Sequence, residues 1–204
     1  MESTIAAKKA KKPLLEVYDW SESFLAAIIA VLVVLTFVVR GTTVDGDSMI
    51  PTLHNRQFLV MSRIYSTPRH NDIVVIFAHN MVADDGRSYG KPIIKRVVGL
   101  PGDTISIDSE AGIVYRNGEA LPLEFRDGIL YEDGHIINDY TSRRFDMQPG
   151  TELTVPDNHI FVMGDNRNNS VDSRDNSVGM VERNYVIGKV FFRLTPADKF
   201  GLVV

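Results

Sequence analysis

From Phe24 to Val39 every residue but Thr36 is apolar, and this run limits what the chain can fold into more than any other feature. With Trp20 to Ser23 added it reaches about 20 residues, enough to cross ~30 Å of hydrocarbon as a helix. A buried core helix is the plainer alternative. The segment is apolar on all sides, however, and follows a cluster formed by Lys8, Lys9, Lys11 and Lys12. A cleaved secretory leader is the closer rival. Its apolar region usually spans ~7–15 residues and ends in small side chains, whereas this one ends V-V-R-G. The sequence thus predicts a cytoplasmic tail over 1–20, an uncleaved single-pass anchor over 21–39 in a lipid bilayer, and an extracytoplasmic domain over 41–204. The lysines set this orientation, with Arg40 opposing it weakly. Trp20 suits the membrane interface.

The domain after the run has about 160 residues, sufficient for one sizeable core. Its strands read as short and β-branched: 57–65, 72–78, 92–98 and 104–108, bounded by Pro68, Asp84-Asp85-Gly86 and Pro101-Gly102-Asp103. Asn117-Gly118, between apolar stretches of 113–125, predicts a hairpin. A second hairpin is predicted from 151–155 and 159–163 around Pro156-Asp157-Asn158, and 185–194 closes the domain. No segment after residue 40 carries a helical period. Residues 126–148 are polar and mixed in charge, which predicts an inserted loop or small subdomain within a variable region of about 110–150.

Composition removes several functions. A net charge of −4 argues against nucleic acid as a partner. With no cysteine there is no disulfide, no thiolate catalysis and no cysteine-based zinc site. Five scattered histidines without an H-x-x-x-H pair predict no metal site from the linear pattern.

Chemistry concentrates in three blocks. Ser48 stands in G-D-S-M-I-P-T-L, residues 46–53, just beyond the apolar run. A serine in a turn is commonly a cap, and to be a nucleophile it needs a base. His54 is too close in sequence to face it without a special turn, His159 begins a strand, and no G-x-S-x-G elbow surrounds it. A Ser-His-Asp triad therefore stands as the lesser alternative. Lys95, in P-I-I-K-R-V-V-G-L-P-G-D, lies within a strand that reads as buried, sharing a face with Ile93 and Val97 while Arg96 shares the other with Ile94 and Val98. Both cations could instead reach water at a sheet edge. Desolvation can lower a lysine from ~10.4 by ~3 units and make a base of it, which arginine cannot become. The third block is F-V-M-G-D-N-R-N-N-S-V-D-S-R, residues 161–174. Read as a calcium loop from Asp165, it places Ser170 and Asn176 where that pattern needs glycine and glutamate.

Together S-M-I-P-T-L (48–53), D-I-V-V (72–75), K-R-V-V-G-L-P-G-D (95–103) and G-D-N-R-N-N-S-V-D-S-R (164–174), in this order behind an anchor, resemble the type I signal peptidase family. The resemblance, closest to the short form of Gram-positive bacteria, implies a mainly β, mostly antiparallel catalytic domain in the bacterial cell membrane. It implies that Ser48 is the nucleophile, Lys95 the general base and Ser170 the hydroxyl that orients the lysine amine. Asp165, Asp172 and Arg174 would hold the scaffold. Asp45, Gly46, Asp47, Met49, Ile93 and Ile94 would bind an extended signal peptide of a secreted preprotein; no cofactor is implied. Met49 and Ile50 could dip into the bilayer or simply belong to the core. Two positions depart from the family. Gly46 replaces a hydroxyl found in some members, which leaves the oxyanion to backbone N–H groups including that of Ser48, and Asn71 stands where glycine is usual. A soluble self-cleaving Ser–Lys protease and a tethered non-enzymatic β module are the other readings. Ser48 and Lys95 within about 3 Å would separate the enzyme from the module.

Overall fold

The computed structural model describes residues 13–64, 67–82, 88–108, 113–121, 151–167 and 169–203. The variable stretch 126–148 lies outside them. The chain forms two compact units, Met1–Val39 and Arg40–Val204.

The first unit is one helix, α1, Pro13–Phe37, of 25 residues. Proline suits its start, because the first turn needs no donor there. The helix thus takes in 13–20, which the sequence assigned to the tail. Three of its hydroxyls bond within the helix: Ser21 and Ser23 donate to Tyr18 O (2.8 Å) and Asp19 O (2.9 Å), and Thr36 to Leu32 O (2.6 Å). Trp20, Phe24, Leu25, Ile29 and Leu32 are exposed. Among the described residues no helix is long and apolar enough to cross a membrane.

The second unit is built from two sheets. Strands β1 (Val39–Thr43), β2 (Phe58–Ser62), β3 (Ile73–Val82), β4 (Ser88–Gly99), β9 (His159–Met163), β10 (Val181–Glu182), β11 (Val186–Arg193) and β12 (Gly201–Leu202) form the large one. Its order is β1-β2-β11-β3-β4-β9-β10, with β12 added to β11. The small sheet runs β7-β6-β5-β8, from β5 (Thr104–Asp108), β6 (Ile113–Arg116), β7 (Glu119–Ala120) and β8 (Glu152–Thr154). Pairing is antiparallel along β2-β11-β3-β4-β9-β10 and throughout the small sheet. After residue 40 the described helical structure is limited to single turns at 183–185 and 197–199.

Alternation distributes the core. In β3, Ile73 and Val75 pack with Met49, Leu53, Leu59 and Met61, while Val74, Ile76 and Ala78 pack with Ile93, Val97, Ile160 and Val162. β9 repeats the device: Phe161 and Met163 join Ile105, Ile107, Val114 and Val155 between the sheets. A strand buried on both faces reads as a continuous apolar run, which is why 73–76 and 160–163 are clear in sequence.

The hairpin at Asn117-Gly118 forms, with Arg116 opposite Glu119 and both turn residues at positive φ (55° and 79°), as a two-residue hairpin turn requires. The second hairpin does not. β8 pairs with β5 in the small sheet, whereas β9 pairs with β4 and β10 in the large one. Val155 explains the divergence: it is buried between the sheets and bonds through N–H to Asp103 O (2.8 Å) and through C=O to Gly102 N (2.9 Å). The turn at 156–158 therefore transfers the chain between sheets.

Candidate active site

The loop after β1 carries Ser48. Gly46 has φ +90°, a backbone open to glycine, and Met49 and Leu53 anchor the loop in the core. Beneath it lies β4. Lys95 Nζ is 2.8 Å from Ser48 Oγ and donates to Ile94 O at 3.1 Å. Lys95 is only 3 % exposed, and burial lowers its amine from 10.5 to about 8, against the opposing pull of Asp172. Lys91, four residues before it, pushes in the same direction as burial.

Arg96 is also buried, so neither cation of the pair reaches bulk water. Its Nε and Nη2 each bond an Asp165 oxygen at 2.7 Å, and Nη1 donates to Asn71 O at 2.8 Å. Thr52 Oγ1 completes the Asp165 carboxylate at 2.6 Å. This fork ties β4, the nucleophile loop and the 164–174 block together. Asn71 has φ +69°, a left-handed conformation, and the departure from glycine becomes intelligible: asparagine is among the few side chains that tolerate it. Its N–H bonds Val97 O at 2.8 Å.

Asp172 forms a second buried pair with Arg174, 2.7 Å from Oδ1 to Nε and 2.8 Å from Oδ2 to Nη2, and accepts Gly164 N–H at 2.9 Å. Burial pushes its carboxyl up, but Arg174 and that N–H outweigh it and hold it below the usual range. Asp165 and Asp172, whose oxygens a calcium loop would use, are thus each engaged by a guanidinium. Ser170 differs from expectation. Its buried Oγ makes no hydrogen bond to Lys95 and lies instead toward Asp172, whose carboxylate it favours. A Cβ on Gly164 would collide with Ser170 Oγ and sit 2.5 Å from Ser48 O, so only glycine lets the three segments meet.

An open cleft of about 580 Å³ fronts the pair, and Asp45, Gly46, Asp47, Met49, Ile93 and Ile94 all line it. β3 covers one edge of β4 from Ser88 to Arg96, but β9 takes the other only from Arg96 onward. Among the described residues no strand takes that edge over 91–95, which lines the cleft. His159 is elsewhere, its Nδ1 2.8 Å from Asp157 O, so it offers Ser48 no base. Sequence reasoning gave Arg96, Thr52 and Asn166 no part in the Ser48–Lys95 site. The first was set aside because it cannot deprotonate, and nothing local marks a side chain whose partner lies 69 residues away.

Fold and site define a β-sheet protein with a serine hydroxyl and a desolvated lysine amine in contact at an open cleft. The family described as signal peptidase, peptidase S26, matches residues 17–195. Probable signal peptidase I-1 of Synechocystis sp. is 33% identical over 87% of this chain and 82% of its own. Signal peptidase I S of Bacillus subtilis is 33% identical over 93% of each. A solved signal peptidase I from Enterococcus faecalis is 28% identical, covers 61% of this chain and 97% of its own, and has a TM-score of 0.42. The chain belongs to the signal peptidase family of S26 peptidases, and is accordingly a hydrolase of peptide bonds.

Proposed function

We infer that the protein is a membrane-anchored endopeptidase that removes N-terminal signal peptides from exported preproteins, with Ser48 as nucleophile and Lys95 as general base. The observation that carries this is the 2.8 Å contact between the Ser48 hydroxyl and an amine lowered to about 8. At pH 7 such an amine is neutral in about one molecule in ten, against one in a few thousand for a free lysine.

The extended substrate lies along the 91–95 edge of β4, bonding backbone to backbone as an added strand, with 42–47 as the opposite wall. Neutral Lys95 takes the Ser48 proton as Oγ bonds to the scissile carbonyl carbon, and the carbonyl oxygen becomes an oxyanion. Collapse breaks the C–N bond, and Lys95 gives the proton to the leaving amine. Water then attacks the acyl-enzyme, surrendering a proton to Lys95, and that proton returns to Ser48 Oγ as the ester breaks.

Helix α1 serves as the anchor. At ~1.5 Å per residue it is about 37 Å long. Its apolar run is continuous in sequence once Val34 and Leu35 are counted, and the Ser21, Ser23 and Thr36 hydroxyls bond within the helix, as hydrocarbon demands. Lys8 to Lys12 hold the N-terminus in the cytoplasm and leave the catalytic unit outside a bacterial cell membrane.

The test is cleavage of a synthetic signal-peptide substrate by the full chain. Ser48→Ala and Lys95→Arg are both expected to be inactive, the latter because a guanidinium stays charged at any working pH. An active Lys95→Arg enzyme would sink the mechanism. Protease added outside intact cells tests the topology and is expected to reach residues beyond 41.

A further inference from the structure

The carbonyls on both sides of the Ser48 α-carbon are held by one residue outside the nucleophile loop. Asn166 Nδ2 donates to Asp47 O at 3.1 Å, and Asn166 N–H donates to Ser48 O at 3.0 Å. Asp47 O also accepts Ile50 N–H at 3.2 Å, which closes the local turn. Ser48 N–H, by contrast, has no acceptor among the described residues, and Ser48 lines the cleft. In a trans peptide the C=O and N–H vectors point in opposite directions. Fixing Asp47 O toward Asn166 therefore turns the Ser48 N–H away from Asn166 and leaves it unspent. Gly46 supplies no hydroxyl of its own, so the orientation of this one peptide carries unusual weight.

Resting on the reading of Ser48 as nucleophile, we propose that Asn166 is a positioning residue for transition-state stabilisation. Its carboxamide holds the 47–48 peptide so that the Ser48 N–H meets the oxyanion formed when Oγ adds to the substrate carbonyl. The bond that matters comes from the side chain; the Asn166 N–H bond to Ser48 O survives any substitution but proline. A donor aimed at charge that exists only in the transition state raises kcat and leaves ground-state binding alone.

The test uses Asn166→Ala, which deletes the donor, and Asn166→Asp, which keeps the shape but offers only acceptors to Asp47 O. Both are measured with a signal-peptide substrate and with a peptide aldehyde of the same sequence. The aldehyde forms a hemiacetal with Ser48 Oγ, its C=O π bond becoming the oxyanion while the hydroxyl proton passes to Lys95. The expected result is a fall in kcat of roughly ten- to a hundredfold with KM within about twofold, and an equal loss of aldehyde affinity. Should the alanine variant fail to fold, the isosteric aspartate reads the same quantities. Unchanged kcat, a loss confined to KM, or intact aldehyde affinity beside a lowered kcat would each overturn the proposal. A fully active Ser48→Ala control would instead overturn the reading beneath it.

Discussion

Burying a lysine whose amine falls to about 8 has a cost that the fold carries at neutral pH. The unfolded chain holds the Lys95 proton up to 10.5, while the folded chain releases it near 8. Between these values the unfolded state binds more protons, so stability rises with pH across that window. The displacement, from 10.5 to about 8, corresponds to about 3 kcal/mol, present as a penalty below pH 8 and relieved by pH 10.5. Replacing Lys95 with methionine, of similar length and without charge, removes the titration. The variant is expected to exceed wild type by about 3 kcal/mol at pH 7, less about 1 for the lost bonds to Ser48 and Ile94. The difference is expected to move by about 3 kcal/mol in favour of wild type between pH 7 and 10.5, leaving the variant about 1 kcal/mol less stable at the upper end. Urea unfolding of both proteins in detergent, taken as a difference at each pH, cancels every other titrating group. A difference flat from pH 7 to 10.5 would show that Lys95 titrates as an ordinary surface amine, and the desolvation argument would fall. The same group governs catalysis, so kcat/KM of the wild type is expected to rise with pH and level off above about 8.

Other outcomes follow from the packing around the site. Gly164→Ala is expected to lower activity at least tenfold and to reduce Tm, because its Cβ meets Ser48 O at 2.5 Å, a backbone atom that cannot swing aside. Asn71→Ala is expected to cost about 1 kcal/mol in chemical denaturation and Asn71→Gly nothing, since the conformation at φ +69° is the constraint. Asp165→Asn strands the buried Arg96 guanidinium and is expected to destabilise by roughly 3–5 kcal/mol, measured by the same unfolding assay.

Much of the site was legible because its information is local. Ser48 stands in a turn marked by Gly46 and Pro51, and Lys95 inside a β-branched strand, so a buried amine could be argued from alternation alone. What alternation could not supply was the different fate of its neighbour. Arg96 finds its carboxylate on Asp165, a partnership written in the pairing of β4 with β9 and in no short window of sequence. The 156–158 turn misled for a related reason: Pro-Asp-Asn specifies a reversal of direction, but the burial of Val155 decides into which sheet the chain emerges. Ser170 carried a role borrowed from resemblance, an orienting bond to Lys95, and its hydroxyl lies buried with that bond unmade. Asn71 ran the other way. Its oddity was visible from the start and needed only a dihedral angle to explain it.

The adjacency of Lys95 and Arg96 makes the alignment of β4 itself a determinant of chemistry. Val74 stands opposite Lys95, and Arg96 is held between Ile73 on one side and Met163 on the other. Sliding β4 by one position would bring either Arg96 or Ile94 into the place of Lys95. A permanent cation or an aliphatic side chain would then face Ser48, and Val97 or Lys95 would face Asp165 in place of the guanidinium. Composition would be unchanged and the sheet still hydrogen-bonded, yet no group at the nucleophile could accept a proton. Single-residue insertions or deletions within 91–97 are therefore a sharper threat to activity than most substitutions there. The bidentate grip of Asp165 on Arg96 acts as a proofreader of strand alignment, since lysine in that place could not complete the fork.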